Sequence, residues 1–337
     1  MEGPAEASEK NNKGRVCVTG GTGFVASWLI MKLLQHGYSV HATVRDRNKD
    51  TSYLTNLPDA GERLRIFVAD LGDPQSFKPA IEGCVGVFHV AHPMDLVGIE
   101  SAETITERSI RAIHGILQLC IDSGTVKRVV YTSSISAVFG KDRGGGDDGA
   151  AAEVDEESWS DVEFMKTLDF VGVGYYISKT VTEMAALEFA EKHGLELVTV
   201  IPSWIHGPFI CPSLPGSVHS SLGLILGNEN QIKYGKITPM VHTDDNAEAH
   251  IYLFEHPDAK GRYICSAMEV TVEEMVDHLR SKHPHLKLLD PEGLINPTAN
   301  IDGLSSKKLL EIGFKYKYGI AEMFDDAIQC CKCIGRL

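Results

Sequence analysis

The sequence predicts an α/β fold: a doubly wound parallel β-sheet with helices on both faces and a smaller C-terminal α/β lobe. From residue 15, short runs of β-branched apolar residues alternate with longer stretches in which apolar residues recur at helical spacing. The short runs are nearly continuous in apolar character, as expected for parallel strands that are covered on both faces. A regular succession of strand and helix of this kind is typical of a parallel sheet enclosed by helices.

Each predicted element corresponds to one such run. The first strand is RVCVTG (15–20), and the apolar-periodic helix after it, FVASWLIMKLLQHG (24–37), is closed by Gly37. A later helix is IRAIHGILQLCIDSG (110–124), and another carries Tyr175. The remaining strands are SVHATVR (39–45), RLRIFVADL (63–71), CVGVFHVAH (84–92), VKRVVYTSS (126–134) and LELVTVIPS (195–203).

Three regions are predicted along the chain. Residues 1–13 are polar and form a loose tail, in which we expect neither a secretory signal nor a transit peptide because an apolar core is missing. Residues 14–204 form the domain that contains the sheet. Residues 205–337 form mainly the smaller lobe, with a segment at about 240–268 that returns to the first domain, and this lobe is expected over the carboxyl edge of the sheet. The Gly-, Asp- and Glu-rich stretch 140–158 is predicted to be a mobile surface loop.

The amino-acid composition limits the kinds of molecule that the protein is expected to bind. The formal net charge of -14 at pH 7 argues against nucleic acid and anionic membranes, since both require basic patches. No apolar stretch is long enough to span a bilayer. The eight cysteines form no paired framework, which fits a reducing compartment, so a cytoplasmic location is expected. Cys330, Cys331 and Cys333 lack a second ligand pair, and no metal site is predicted. A monomer or homodimer is expected.

A glycine-rich turn, VCVTGGTGFVAS, lies between the first predicted strand and the first predicted helix. Gly20, Gly21 and Gly23 permit a tight turn and let backbone N–H groups approach a pyrophosphate at the N-terminus of the helix. Ala26 is small enough for close packing of the helix on the strand. In this strand–turn–helix context the motif predicts a Rossmann-like dinucleotide-binding domain, and the alternative is an ordinary turn between strand and helix.

The end of the second strand, TVRDRNK, indicates which dinucleotide is bound. An NAD-binding domain would place Asp or Glu here for the ribose diol, whereas this sequence has Arg45 first, with Arg47 and Lys49 close behind. Guanidinium groups bind a 2′-phosphate bidentately, so NADPH or NADP⁺ is predicted and NAD is less favoured. Asp46 keeps the NAD alternative open, since it would serve the diol if it turned inward. Asp70, which ends the third strand, is a candidate for the adenine edge or else a loop cap.

Ser134, Tyr175 and Lys179 are the candidate catalytic residues. Ser133 and Ser134 end a predicted central strand, so they emerge at the carboxyl edge, where a nicotinamide ring should lie. Tyr175 and Lys179 stand four residues apart and share one face of a helix. An ammonium group beside a phenol should lower the phenol's pKa from its usual value of about 10 and so assist proton transfer. Ser134 would hold a carbonyl oxygen by a hydrogen bond.

These residue types, in this order behind a glycine turn, predict carbonyl reduction by hydride transfer, with Tyr175 as the proton donor. Lys179 would also bond the nicotinamide ribose. Plainer explanations exist, since surface Tyr–Lys pairs are common and Thr-Ser-Ser often caps a strand. Two other functions stay open: the reverse reaction, oxidation of an alcohol or hemiacetal with NAD(P)⁺, and a non-catalytic cofactor-binding protein.

The sequence resembles the extended short-chain dehydrogenase/reductase family, in its plant dihydroflavonol-reductase-like branch. The resemblance spans nearly the whole chain, through VCVTGGTGFVASWL, ADL, VFHVAHPMD, VKRVVYTSS, YYISKT, VIPSWIHGPF and FDDAIQCCK. It implies NADPH as cofactor, the roles given above for the candidate catalytic residues, and a small phenolic, flavonoid-like or alkaloid substrate of plant specialised metabolism. It also implies cofactor contacts from Gly20, Gly23, Phe24, Val25, Arg45, Lys49, Asp70, Leu71, Val90, Ala91, Tyr175, Lys179, Pro202 and Ser217.

The sequence departs from this branch where the substrate is expected. His92 stands where the branch usually has Thr or Ser, and His206 stands where an apolar residue is usual. Phe139 replaces an asparagine that bonds the flavonoid B-ring in dihydroflavonol reductases, which argues against a dihydroflavonol substrate. We expect His92, Met94, Phe139 and His206 to line the substrate cavity, although an isolated histidine near a strand end is more often a packed core residue. His242 is expected near a helix cap.

Overall fold

The computed structural model describes residues 13–93, 100–140, 153–168, 172–227, 235–291, 295 and 303–337. Met94 and residues 141–152 of the predicted surface loop lie outside the described residues. The strands are β1 (Arg15–Val18), β2 (Ser39–Val44), β3 (Leu64–Val68), β4 (Gly86–His89), β5 (Arg128–Thr132), β6 (Glu196–Pro202), β7 (Trp204–His206), β8 (Ile237–His242), β9 (Gly261–Cys265) and β10 (Met268–Thr271).

Helices connect most of these strands. They are α1 (Phe24–Gln35), α2 (Ser52–Thr55), α3 (Ala60–Arg63), α4 (Lys78–Ile81, preceded by the 3₁₀ turn Pro74–Phe77), α5 (Ala102–Ser123), α6 (Ser136–Phe139), α7 (Val162–Lys166), α8 (Val173–His193), α9 (Gly216–Ser221), α10 (Gly223–Leu226), α11 (Thr243–Glu255), α12 (Val272–Lys282), α13 (Lys307–Glu311) and α14 (Ile320–Cys333). In the described part of the chain, none of them combines the length and the apolar character needed to cross a membrane.

A seven-stranded parallel sheet forms the centre of the fold. Its strand order is β3-β2-β1-β4-β5-β6-β9, and every neighbouring pair is parallel. The chain winds in opposite directions from β1 and from β4, so the loops after these two strands diverge and leave a crevice at the carboxyl edge. The predicted doubly wound parallel sheet is therefore confirmed.

Alternating side chains along the strands supply two separate cores. Val16 and Val18 of β1 point into the core shared with α1 and α11, whereas Cys17 between them points into the core shared with α5 and α8. This alternation is the period of two that a strand imposes, with both faces apolar because both are covered. Gly86 allows α11 to lie close to the sheet, since a Cβ at this position would fall 2.1 Å from the ring of Phe254.

A three-stranded sheet, β10-β8-β7, lies in the smaller lobe. β7 and β8 are parallel, with His206 opposite His242, and β8 and β10 are antiparallel. A third apolar core joins this sheet to α12 and α14 and is completely buried around Met275 and Phe324. α12 begins with a capping box, in which the N–H of Glu274 donates to the hydroxyl of Thr271 at 3.1 Å.

Candidate active site

The turn between β1 and α1 depends on its glycines. Gly20 has a φ of +72°, and a Cβ there would lie 3.0 Å from the Cβ of Ala91. A Cβ on Gly21 would lie 3.1 Å from the Cβ of Ala42. Gly23 is the N-cap residue of α1 and has no side chain with which to satisfy the first N–H groups of the helix. The turn therefore presents backbone N–H groups at a helix N-terminus, an arrangement suited to a phosphate group.

Thr19 ties this turn to the loop that follows β4. Its Oγ1 accepts hydrogen bonds from the N–H groups of Val90 and Ala91, at 3.1 and 3.0 Å. The same oxygen pairs with Nδ1 of the buried His89 at 2.9 Å. Because Thr19 follows β1, these bonds join the two loops on either side of the switch point. The half-buried Val90 and Ala91 are thereby fixed beside the glycine turn.

The loop after β2 carries three exposed cations and two exposed carboxylates, Asp46 and Asp50. Arg45, Arg47 and Lys49 are all exposed. Asp46 is exposed as well, and its Oδ1 accepts a hydrogen bond from the N–H of Asn48 at 2.9 Å. That contact is an Asx turn, which directs the carboxylate to its own loop rather than toward the crevice. A cavity of about 430 Å³, lined in part by Arg47, adjoins this loop. The arrangement favours an anionic ligand group over a neutral diol.

The other residues predicted to contact the cofactor are distributed around the carboxyl edge. Phe24 and Val25 form the first turn of α1, Asp70 and Leu71 follow β3, Val90 and Ala91 follow β4, Pro202 ends β6, and Ser217 lies in α9. Asp70 is exposed and its Oδ1 accepts from the N–H of Gly72 at 2.7 Å, so its carboxylate caps its own loop. The carbonyl of Ser217 accepts from Nε1 of Trp204 at 3.0 Å, which links α9 to the residues just after β6.

β5 and α8 bring the predicted catalytic residues together. Lys179 is buried, and its Nζ donates to the carbonyl oxygen of Thr132 at 2.8 Å, two residues before Ser134. The side chain of Ser134 is partly buried and acts as a hydrogen-bond partner of the Tyr175 phenol. Tyr175 precedes Lys179 by one turn of α8. A hydroxyl, a phenol and an amine therefore lie together at the carboxyl end of β5.

Burial sets the protonation of these groups. Loss of water raises the pKa of Tyr175 to about 12, and the hydrogen bond with Ser134 opposes this only in part. Loss of water also lowers the pKa of Lys179 to about 7, against the opposing charge of Glu183. The expected net lowering of the Tyr175 pKa is therefore not seen, because burial raises this pKa by more than the hydrogen bond with Ser134 lowers it. At neutral pH the phenol keeps its proton.

Behind α8 lies a buried ion pair that the sequence pattern does not predict. Glu183 lies one turn after Lys179 on α8 and is fully buried. Its carboxylate accepts hydrogen bonds from Thr199 Oγ1 at 2.7 Å and from Arg262 Nε at 2.9 Å. The guanidinium of Arg262 stacks on the ring of Trp159, 3.5 Å from its centroid. The only signal in the sequence was the four-residue spacing of Tyr175, Lys179 and Glu183, which places all three on one helix face.

Glu183 also distinguishes the two serines at the end of β5. The hydroxyl of Ser133 is buried and donates to Glu183 at 2.5 Å. Successive side chains of a strand point to opposite sides, so Ser134 turns the other way, toward Tyr175. The hydroxyl of Ser134 also accepts from the N–H of Ser136 at 3.2 Å, which fixes its orientation at the start of α6. Ser134 is thus the serine available to a ligand.

His92 lies against α8. Its Nε2 pairs with the hydroxyl of Ser178 at 3.3 Å, and its ring meets that of Tyr175 edge-on with centroids 5.5 Å apart. Burial lowers the pKa of His92 well below its usual value, and the charge of Lys179 acts in the same direction. A neutral imidazole therefore stands beside the phenol. This position fits the predicted substrate contact, while the bond to Ser178 also fits a packed histidine.

The remaining predicted substrate residues lie elsewhere. His206 is fully buried in β7, and its ring packs on Phe324 with centroids 4.5 Å apart. Within the described residues neither of its ring nitrogens has a hydrogen-bond partner, and burial lowers its pKa to about 3. Phe139 ends α6 and packs against a small apolar core. Met94 lies outside the described residues. His242 is the N-cap residue of α11, as predicted.

Comparisons with known proteins agree with this architecture. A model of the NAD dependent epimerase/dehydratase family matches residues 16–265. Vestitone reductase of Medicago sativa is 48% identical over 331 residues, covering 96% of this chain and 99% of that protein. Protein BRI1-5 ENHANCED 1 of Arabidopsis thaliana is 51% identical over 330 residues (96% and 90%), and dihydroflavonol 4-reductase of Zea mays is 43% identical over 335 residues (98% and 91%).

Two crystal structures have the same fold. Vestitone reductase from alfalfa superposes with a TM-score of 0.83 at 47% identity, covering 96% of this chain and all of that one. Yeast methylglyoxal/isovaleraldehyde reductase Gre2, complexed with NADPH, superposes with a TM-score of 0.81 at 26% identity and the same coverage. The chain therefore belongs to the NAD dependent epimerase/dehydratase family, that is, the extended short-chain dehydrogenases/reductases, in the plant dihydroflavonol-reductase-like branch, and it is a nicotinamide-dependent oxidoreductase acting on carbonyl or alcohol groups.

Proposed function

We propose that this protein is an NADPH-dependent carbonyl reductase that acts on a ketone or aldehyde of a plant phenolic or alkaloid-like metabolite. The observation that carries the proposal is the meeting of Ser134, Tyr175 and the buried Lys179 at the carboxyl end of β5. This group stands at the same sheet edge as the glycine turn and the N-terminus of α1, where the first N–H groups of the helix suit a pyrophosphate.

Ser134 and Tyr175 have separate roles in the reduction of the carbonyl group. Bound NADPH supplies the hydride that adds to the carbonyl carbon of the substrate. Ser134 donates a hydrogen bond to the carbonyl oxygen, which gains negative charge as the reaction proceeds. Tyr175 gives its proton to that oxygen, for which it must be protonated at the start. The raised pKa of Tyr175, about 12, meets this requirement at neutral pH.

Lys179 acts on the phenol after the proton has left. When it is charged, its ammonium group stabilises the phenolate by Coulombic attraction. Its bond to the Thr132 carbonyl, at 2.8 Å, holds the amine at the end of β5, from which it would reach the nicotinamide ribose. Glu183 favours the charged form of Lys179 and so supports this role.

The cations after β2 support NADPH as the cofactor. Arg45, Arg47 and Lys49 are exposed at the carboxyl end of a strand, while Asp46 is engaged by Asn48 within its own loop. A 2′-phosphate would gain charge-assisted hydrogen bonds from Arg45, whereas the ribose diol of NAD would gain little there. NADPH is also the cofactor in the crystal structure of the yeast reductase.

The substrate class rests on the relatives and on His92. Vestitone and dihydroflavonols are named as substrates of the plant relatives, and these are ketones of phenolic compounds. The neutral imidazole of His92 beside Tyr175 offers a hydrogen bond to a phenol or hydroxyl group of such a ligand. Phe139, in place of the family asparagine, directs the proposal away from dihydroflavonols.

The proposal is tested by mixing the protein with NADPH and a panel of isoflavanones, dihydroflavonols, aromatic aldehydes and alkaloid hemiacetals. We expect loss of nicotinamide absorbance with at least one phenolic ketone, and a lower rate with NADH. The same panel in alcohol form with NADP⁺ measures the oxidation direction. If no carbonyl compound led to consumption of NADPH while an alcohol was rapidly oxidised with NADP⁺, the protein would work as an alcohol dehydrogenase and not as a reductase.

A further inference from the structure

A second cluster of chemically competent side chains lies in the smaller lobe, away from the residues described above. His278 lies in α12, His283 is its C-cap residue, and Asp325 lies in α14. Nε2 of each histidine is 2.8 Å from the same oxygen, Oδ1 of Asp325. The possible ligand atoms of the three residues all lie within 4.8 Å of one another. Each residue is at least partly buried.

We propose that His278, His283 and Asp325 bind a divalent transition-metal ion, with Zn²⁺ as the preferred ion. Two imidazole nitrogens and a carboxylate oxygen are a donor set that Zn²⁺ accepts, with bonds of about 2.0–2.2 Å. Ligand atoms on one tetrahedral ion lie roughly 3.3 Å apart at such bond lengths. The two histidine–aspartate contacts of 2.8 Å therefore need to lengthen by about 0.5 Å. The two histidine nitrogens lie within 4.8 Å of each other and need to come to about the same 3.3 Å spacing.

The spacing of the donors explains why the fold presents them together. His283 follows His278 by five residues and is brought back toward it because the helix ends at Lys282. The rings of the two histidines meet edge-on, with centroids 6.4 Å apart. Asp325 comes from another helix that packs on α12. The fourth position is open to water or to the exposed His285, whose ring centroid lies 6.1 Å from that of His283.

An ordinary hydrogen-bonded cluster is the alternative. Two neutral imidazoles would each donate to Asp325, and no ion would be required. In the hydrogen-bonded cluster, the ring N–H groups of both histidines face the carboxylate of Asp325. In the zinc site, the unprotonated nitrogens of both rings face one bound cation, so the charge between α12 and α14 differs.

The ion would act as a structural clamp rather than in catalysis. It would tie α14 to the end of α12, and the apolar face of α14 fills the core of the smaller lobe. Phe324, the neighbour of Asp325, packs on both His278 and the buried His206, with centroid distances of 6.2 and 4.5 Å. Binding would therefore stabilise the lobe by mass action, since the unfolded chain lacks the preformed site. This proposed zinc site does not depend on the proposed reductase activity.

The test uses the whole protein after metal removal with a chelator. Titration with Zn²⁺ in a calorimeter should show one ion bound per chain, with an affinity that falls as the histidines are protonated. In thermal unfolding, the zinc-loaded protein should have a higher Tm than the metal-free protein. Co²⁺ should give the visible absorption of a tetrahedral ion. His278→Ala combined with His283→Ala, and separately Asp325→Asn, should weaken binding roughly a hundred-fold or more. His193→Ala, an exposed histidine at the end of α8, is the matched control and should leave binding unchanged.

Absence of binding by the unmodified protein would overturn the proposal, as would unchanged binding in the double histidine variant. Asp325→Asn preserves side-chain shape, and NADPH binding reports whether each variant is folded. NADPH consumption by the metal-free protein should equal that of the loaded protein, so the two proposals can fail separately.

Discussion

Lys179 donates a hydrogen bond from Nζ to the carbonyl oxygen of Thr132, at 2.8 Å, across the gap between α8 and β5. Together with the bond from Ser133 to Glu183, this contact holds the helix that carries Tyr175 against the strand that leads to Ser134. An amine at this depth loses most of its hydration, which is why its pKa falls to about 7. The position of the Lys179 amine and its lowered pKa thus both follow from its burial beside β5.

Replacing Tyr175 by Phe should remove the proton donor while the ring stays in place. We expect kcat/KM for carbonyl reduction to fall about 10²–10⁴-fold, with little change in NADPH affinity. Steady-state kinetics and fluorescence titration of NADPH measure the two quantities. Tyr176→Phe, one residue along the same helix, is the control and should retain most of the activity. Equal losses of kcat/KM in the two variants would show that Tyr175 is not the proton donor.

Lys179→Met should change how stability depends on pH. The folded-state pKa of Lys179 is about 7, below the unfolded value of about 10.4, so between these values the unfolded chain binds more protons at this site. The contribution of Lys179 to stability therefore rises with pH across this window. Urea unfolding at several pH values should show that rise in the natural protein and a smaller one in Lys179→Met. Lys192→Met, at an exposed site of the same helix, should leave the change of unfolding free energy with pH as it is in the natural protein. If Lys179→Met also kept the pH dependence of the natural protein, the argument would be contradicted.

Glu183→Gln should destabilise the fold and alter the activity profile together. The substitution leaves Arg262 buried without its charged partner, which costs about 3–5 kcal/mol in unfolding free energy. It also removes the charge that raises the pKa of Lys179, so the alkaline limb of kcat/KM should move to lower pH. Denaturant unfolding and a pH–rate profile test both effects. Glu188→Gln, exposed on the same helix, should show neither; a stable variant with an unmoved profile would refute the role of Glu183.

Arg45→Ala should reduce the preference for NADPH. Loss of a charge-assisted bond to the 2′-phosphate corresponds to about 1.5–3 kcal/mol, so the KM for NADPH should rise roughly ten- to hundred-fold. The KM for NADH should change little, because NADH has no group at that position. Lys127→Ala, an exposed lysine at the opposite edge of the sheet, should affect neither value. Equal rises for both cofactors would show that Arg45 does not read the phosphate.

The strands and the glycine turn could be predicted because their signals are local. β1 and α1 are short-range patterns of apolar residues, and Gly20 adopts a positive φ that few other residues tolerate. Tyr175 and Lys179 were placed on one face by helical spacing alone. The family and the oxidoreductase class are confirmed, whereas the roles of individual site residues, the domain boundaries, the oligomeric state and a cytoplasmic location stay predictions.

Long-range partners could not be predicted in the same way. Glu183 and Arg262 are 79 residues apart, and the packing of α8 on β6 together with the pairing of β6 with β9 brings them together. The pKa shift of Tyr175 has the opposite direction to the one expected, because sequence spacing reveals a lysine on the same helix face but not the burial of the phenol. His206 likewise becomes a core residue through the packing of Phe324 from α14, more than a hundred residues later.

A crystal structure of the NADP⁺ complex tests the central claim most directly. We predict that the nicotinamide ring lies beside the Tyr175 hydroxyl and the Ser134 side chain, with the 2′-phosphate against Arg45. A nicotinamide bound at another edge of the sheet, or a Tyr175 hydroxyl directed away from it into solvent, would contradict the assignment of these residues to carbonyl reduction.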